Sequence, residues 1–158
     1  MMEYRQISGE SSSVSTTTTE EWKHRLLTII GGYNEDDIYN TDETALLFKA
    51  IPDRSLVLKK EKCKGGKHSK ERYTVLLCSN WSGTDKLKPL VIGKSYRPRC
   101  FKNLNIGDLP VTWKANRTSW MNAKLFSEWL IELDKKMKKC SRMILLFLDN
   151  APVHPIDV

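Results

Sequence analysis

Met143-Ile144-Leu145-Leu146-Phe147-Leu148-Asp149-Asn150 is the stretch that decides how the chain is read. Six apolar residues run without a break and end on an acid. A run of this kind, bounded by turn-forming residues, predicts a strand buried on both faces, as in parallel sheets. Asp149 is the first polar group beyond it. Strand carboxyl ends open into the crevice where α/β proteins place their sites. Two readings of Asp149 stand at this point: the start of a turn after a core strand, or an acid of a site.

The residues upstream supply what such a strand packs against. Phe126, Trp129, Leu130, Leu133 and Met137 recur at helical spacing, and Asn122 before them is a good N-cap, so an amphipathic helix is predicted. Lys135, Lys136, Lys138, Lys139 and Arg142 load its far end, where the helix dipole favours cations. Arg72–Asn80 and Leu87–Gly93 read as strands joined by the turn Ser82-Gly83-Thr84-Asp85. With Ser55–Lys59 they suggest an antiparallel meander. Val111–Lys114 is a further short strand.

Nearer the start, Ile38–Thr44 is rich in strand formers. Alternation puts Ile38, Asn40 and Asp42 on one face and Tyr39, Thr41 and Glu43 on the other. Asp42 and Glu43 therefore do not both point into one site. Thr18 and Glu21 have capping-box spacing and open a helix whose apolar face is Trp22, Leu26 and Ile30, stopped by Gly31-Gly32. Residues 1–18 are polar and rich in serine and threonine, a linker ahead of one domain at 19–158. The order is helix, strand with acid, antiparallel strands, helix, strand with acid. A crossover through the second helix sets the last strand parallel to the first and beside it.

The 158 residues suffice for one ordinary core. With 26 Lys and Arg against 19 Asp and Glu, the net charge of +7 favours a polyanionic partner, most often nucleic acid. No apolar stretch is long enough to span a membrane, and the first residues lack an apolar signal core. Cys63, Cys78, Cys100 and Cys140 form no Cys-x-x-Cys pair, which argues against structural zinc or a disulfide framework and for reduced thiols.

Asp42 and Asp149 at neighbouring strands would converge at one edge of the sheet. Paired carboxylates suit a hard cation, Mg²⁺ or Mn²⁺. Two such ions can activate an attacking oxygen and stabilise a leaving one in phosphodiester cleavage. His154 reads as a ligand, a proton carrier or a loop residue before Pro155. Cys63 and His68 have only loose zinc spacing. Two basic loops are candidate phosphate contacts: Lys64, Lys67, Lys70 and Arg72 in the first, Lys94, Arg97, Arg99 and Lys102 in the second. Each loop alone is equally a solvated surface.

Several blocks together resemble a known family. Tyr39-Asn40-Thr41-Asp42-Glu43-Thr44, Lys70–Cys78, Lys88-Pro89-Leu90-Val91-Ile92-Gly93-Lys94-Ser95, Pro98-Arg99-Cys100-Phe101-Lys102-Asn103 and Leu148-Asp149-Asn150-Ala151-Pro152-Val153-His154-Pro155 look, in this order, like the DDE endonuclease domain of pogo/Tigger-type transposases. Their host-domesticated relatives, the jerky and centromere-protein-B-like proteins, share that domain. The resemblance implies an α/β fold, a ribonuclease-H-like mixed sheet with flanking helices, incomplete at its C-terminus. It implies DNA as partner, a nuclear setting, and Mg²⁺ or Mn²⁺ at Asp42 and Asp149 as first and second catalytic carboxylates. The family's third acid lies further along the chain; Asp157 does not match it. A truncated and inactive domain is therefore expected. A non-catalytic DNA- or chromatin-binding module of a domesticated protein is the alternative, and a decayed element a third. Nothing in the residues sets the oligomeric state.

Overall fold

The computed structural model describes residues 16–49 and 71–154. The chain divides into two compact units, residues 1–34 and 35–158. The expected strand at Ser55–Lys59 and the basic loop after it lie outside the described residues.

In the first unit, α1 (Thr16–Ile30) starts two residues ahead of the capping-box expectation. Glu20 pairs with Lys23 at 2.7 Å, and Gly31 follows the last turn. Trp22, expected on a buried face, is exposed. Within this unit the described residues offer no second element to pack against its apolar side.

Among the described residues the second unit is a five-stranded sheet with one α-helix on it. Its strands are β1 (Ile38–Leu46), β2 (Tyr73–Asn80), β3 (Leu90–Gly93), β4 (Thr112–Ala115) and β5 (Leu145–Phe147), in the order β4-β3-β2-β1-β5. β1, β2 and β3 form the antiparallel meander. β4 departs from it, pairing parallel to β3 after a connection that contains two short 3-10 turns. β5 pairs parallel to β1, as the crossover rule requires.

Helix α2 (Ala123–Lys139) covers one face of this sheet. Asn122 caps it, its side-chain oxygen accepting from the Leu125 amide at 2.9 Å. Leu125, Phe126, Trp129, Leu133 and Met137 are buried against Tyr39, Leu76, Cys78, Leu90 and Ile92. Along β1 Tyr39 and Thr41 are buried while Asn40 and Asp42 are exposed, in step with alternation, but Ile38, which alternation sets on the face of Asn40 and Asp42, is buried as well. The opposite face also carries Leu77, which is half exposed. Burial pushes the Cys78 thiol up to about 11, a Thr41 hydrogen bond notwithstanding, so this sulfur stays protonated and unreactive.

The strand expected to be buried on both faces is only partly buried. β5 is three residues long and lies at the end of the strand order. Ile144 and Leu146 pack on the α2 core, whereas Met143 is 79% exposed. Apolar content alone does not distinguish a strand flanked by two neighbours from one that has β1 on a single side.

The turn between α2 and β5 is a Schellman motif. The Arg142 amide bonds the Met137 carbonyl, the Ser141 amide bonds the Lys138 carbonyl, and Ser141 takes φ 51°. The reversal aims Arg142 away from the helix end, where the dipole argument had placed it. Its guanidinium donates to Asp37 at 2.7 and 2.9 Å and to the Tyr39 hydroxyl at 3.2 Å. The Asp37 bond in turn holds the guanidinium pKa above its usual value. The chain entering β5 is thus fastened to the chain entering β1.

Tyr39 sits under this cluster with no exposed surface. Its hydroxyl donates to Asp85 at 2.6 Å. Burial, and then the Asp85 bond, push the phenol up to about 12 against the opposing pull of Arg142. The fold therefore holds the Tyr39 proton more tightly than the unfolded chain does. This contribution to stability is fully present below pH 10, the ordinary value, and is lost as pH rises through about 12. At about 1.4 kcal/mol per pKa unit the loss is roughly 3 kcal/mol. Urea midpoints measured from pH 9 to 12 should fall more steeply for the native chain than for Tyr39→Phe. Parallel slopes would refute it.

Candidate active site

The placement of the two expected acids follows from strand register. Ile38 pairs with Leu145, Tyr39 with Leu146 and Asn40 with Phe147. The partners of each pair are 107 positions apart (145 − 38), and so are Asp42 and Asp149 (149 − 42). The observed pairing ends at Asn40 and Phe147, two residues short of each acid; continued, the same register would bring Asp149 beside Asp42, but Asp149 already lies beyond β5. In a parallel pair, level residues point to the same face. For Asp42 that is the face away from α2, where it is exposed. Its Oδ1 accepts from the Glu43 amide at 2.8 Å.

Glu43 goes the other way, as alternation requires. Its carboxylate reaches His154, with Oε1 at 2.9 Å from Nε2. The other ring nitrogen, Nδ1, lies 2.7 Å from Asp149 Oδ1 and 3.2 Å from the Asp149 carbonyl. The imidazole is almost wholly buried and lies over the Phe126 ring with centroids 4.2 Å apart. Burial pulls its pKa down, but the Glu43 bond, the Asp149 carbonyl and the charges of both acids outweigh that, and the net shift is upward. His154 is thus neither a free loop residue nor an open metal ligand, because both ring nitrogens are engaged.

Asp42 and Asp149 suit a divalent cation. Both are hard oxygen donors, and both are exposed. Among the described residues no Lys or Arg neutralises either of them, and Asp149 has only His154 as an ionic partner. Among the same residues no three His, Cys, Asp or Glu converge as a metal cluster. Two exposed carboxylates are donors of the kind a hard cation takes, and no third ligand joins them among the described residues.

The other expected contacts are scattered. Lys64, Lys67 and Lys70 lie outside the described residues, as do Cys63 and His68. Arg72 stacks on the exposed Trp120 ring, its guanidinium 3.7 Å from the centroid. Lys94 lies 3.8 Å from Glu71. Arg97, Arg99 and Lys102 are exposed on the connection from β3 to β4. Glu43 and His154 were the residues undervalued from sequence. The signal available was alternation: it put Glu43 on the face of Tyr39 and Thr41, and where that face is buried a charged group needs a partner.

A profile described as DDE superfamily endonuclease matches residues 70–158. Tigger transposable element-derived protein 4 of Mus musculus is 37% identical over 147 residues, which are 92% of this chain and 28% of the mouse protein. CENP-B homolog protein 2 of Schizosaccharomyces pombe is 36% identical over 150 residues, 94% of this chain and 28% of that protein. Jerky protein homolog of Homo sapiens is 32% identical over 159 residues, with shares of 94% and 28%. The chain spans 28% of the length of these three relatives. Among solved structures, the Mos1 mariner paired end complex with Mn matches with a TM-score of 0.55 at 14% identity, covering 98% of this chain and 41% of that one. The Mos1 transposase paired-end complex with left transposon end gives 0.52 at 15%, covering 99% and 41%. These likenesses bear on the fold, which is ribonuclease-H-like.

Proposed function

Because the chain belongs to the DDE superfamily endonuclease family, we propose that it forms part of a Tigger/pogo-type, transposase-derived domain in which Asp42 and Asp149 hold a divalent cation for work on DNA. What supports this is the parallel pairing of β1 with β5, whose last pair, Asn40 with Phe147, stands two residues before each acid, together with the exposure of both carboxylates. Mos1, matched in fold, is named in complexes with a transposon end and with Mn or Mg. A bound Mg²⁺ or Mn²⁺ supplies activation of an attacking oxygen and stabilisation of the leaving oxygen of a phosphodiester. Asp42 and Asp149 bind and space the cation. Exposed Arg97, Arg99 and Lys102 offer phosphate contacts that register the duplex. The setting is nuclear, where such DNA lies.

With two exposed carboxylates as the candidate ligands among the described residues, the sharp readout for this chain is metal binding rather than turnover. Mn²⁺ titration of the 158-residue chain, followed by electron paramagnetic resonance, should show a saturable site. Asp42→Asn or Asp149→Asn should abolish it, and Asp108→Asn, on a remote turn, should not. Binding indifferent to both site variants would overturn the reading.

A non-catalytic DNA-binding role is the second reading, favoured by the exposed basic residues after β3 and the net charge of +7. The same preparation separates the two. Salt-dependent DNA binding that Arg97→Glu and Arg99→Glu remove, with no Asp42-dependent metal site, supports the second alone.

A further inference from the structure

We propose that Glu43 and His154 are positioning residues for Asp149: Glu43 fixes the imidazole, and the imidazole fixes one oxygen of the Asp149 carboxylate. The inference rests on the reading of Asp149 as a metal ligand. It assigns work to two side chains that the metal site itself does not use.

The geometry is a chain of three groups. Glu43 Oε1 meets His154 Nε2 at 2.9 Å, and His154 Nδ1 meets Asp149 Oδ1 at 2.7 Å. The outer groups differ in exposure in the sense the role requires. The His154 side chain is 3% exposed, Glu43 18% and Asp149 59%. Buried links hold; the exposed end presents. The imidazole cannot turn freely, because Phe126 lies against its face and the His154 amide closes a turn onto the Ala151 carbonyl at 2.9 Å.

Only Oδ1 of Asp149 is engaged, by His154 and by the Ala151 amide at 3.4 Å. Oδ2 takes no hydrogen bond or ion pair from the described residues. A carboxylate pinned at one oxygen has lost the rotation that would otherwise have to be frozen when a cation arrives. Outer groups that orient a ligand in this way are worth roughly 10- to 100-fold in metal affinity. The strand period explains the division of labour. Neighbouring residues of β1 face opposite ways, so Asp42 meets the cation directly while Glu43 reaches the second acid from behind.

The test is Mn²⁺ affinity of the full chain, with melting followed by circular dichroism on each variant. Glu43→Ala and His154→Ala should each weaken binding about 10-fold or more. Glu43→Gln keeps an acceptor for Nε2, and His154→Asn keeps an N–H where Nδ1 stood; each should recover much of the affinity lost by its alanine counterpart. If wild type binds through Asp42 and Asp149 while the alanine variants bind as tightly, the positioning role is wrong and the metal reading stands. If the variants melt earlier but retain affinity, the three groups are a structural clip only, and the role is again wrong. If wild type shows no Asp149-dependent site, the metal reading fails and this inference fails with it.

Discussion

Phe126→Ala should lower the unfolding free energy by about 3–5 kcal/mol, the cost of emptying a large aromatic site in a packed core. The ring is 1% exposed. It sits on the second turn of α2 and meets Trp129 at 5.6 Å and His154 at 4.2 Å between centroids. The neighbours that would have to collapse into the space are held by other bonds. His154 is tied to Glu43 and Asp149, and the start of the helix is tied by Asn122. Against a total stability of roughly 5–15 kcal/mol for an ordinary domain, the loss is large. Ile131, exposed on the same helix, is the comparison; its alanine variant should change stability by no more than about 0.5 kcal/mol. Equal urea midpoint shifts for the two would mean that α2 does not sit on the sheet as described.

Gly93→Ala should cost about 1–3 kcal/mol, for the opposite reason: too much matter rather than too little. A Cβ on Gly93 would stand 2.5 Å from Cζ2 and 2.6 Å from Cη2 of Trp113. Gly93 ends β3 and is paired to Ala115, so its backbone is fixed. The indole cannot swing aside cheaply. Its Nε1 donates to the carbonyl of Tyr96 at 3.0 Å and lies 3.3 Å from that of Ser95, while Phe101 and Tyr73 meet its ring edge to face. Melting temperature and near-ultraviolet dichroism should both change, the second because Trp113 must move. An unchanged melt would show that the indole has room the geometry denies it.

The parts legible in the sequence were those written as a period. The spacing of Phe126, Trp129, Leu133 and Met137 placed α2, and Asn122 marked its start. Alternation along β1 separated Tyr39 and Thr41 from Asp42, and the structure shows the first two in the core and the acid outside. The order of elements then placed β5 parallel to β1 and beside it, as observed. What the sequence concealed were contacts between residues far apart that follow no period. Arg142 looked like one more cation at a helix end; a left-handed Ser141, with no glycine to announce it, turned it onto Asp37 and Tyr39. His154 read as a loop residue because its partners, Glu43 and Asp149, are brought to it by the two strands.

The parallel pairing of β1 with β5 also sets a timetable. The meander and α2 form from neighbours in the chain, but β5 must close a loop of about a hundred residues to reach β1. Contacts between residues so far apart carry the largest entropy cost and form late in folding. On a ribosome moving at roughly 5–20 residues per second, β1 waits some 5–20 seconds before its partner is made. Until then the first acid has no second. The exposed edge of β1 therefore stays unpaired through most of synthesis, until β5 arrives to cover it.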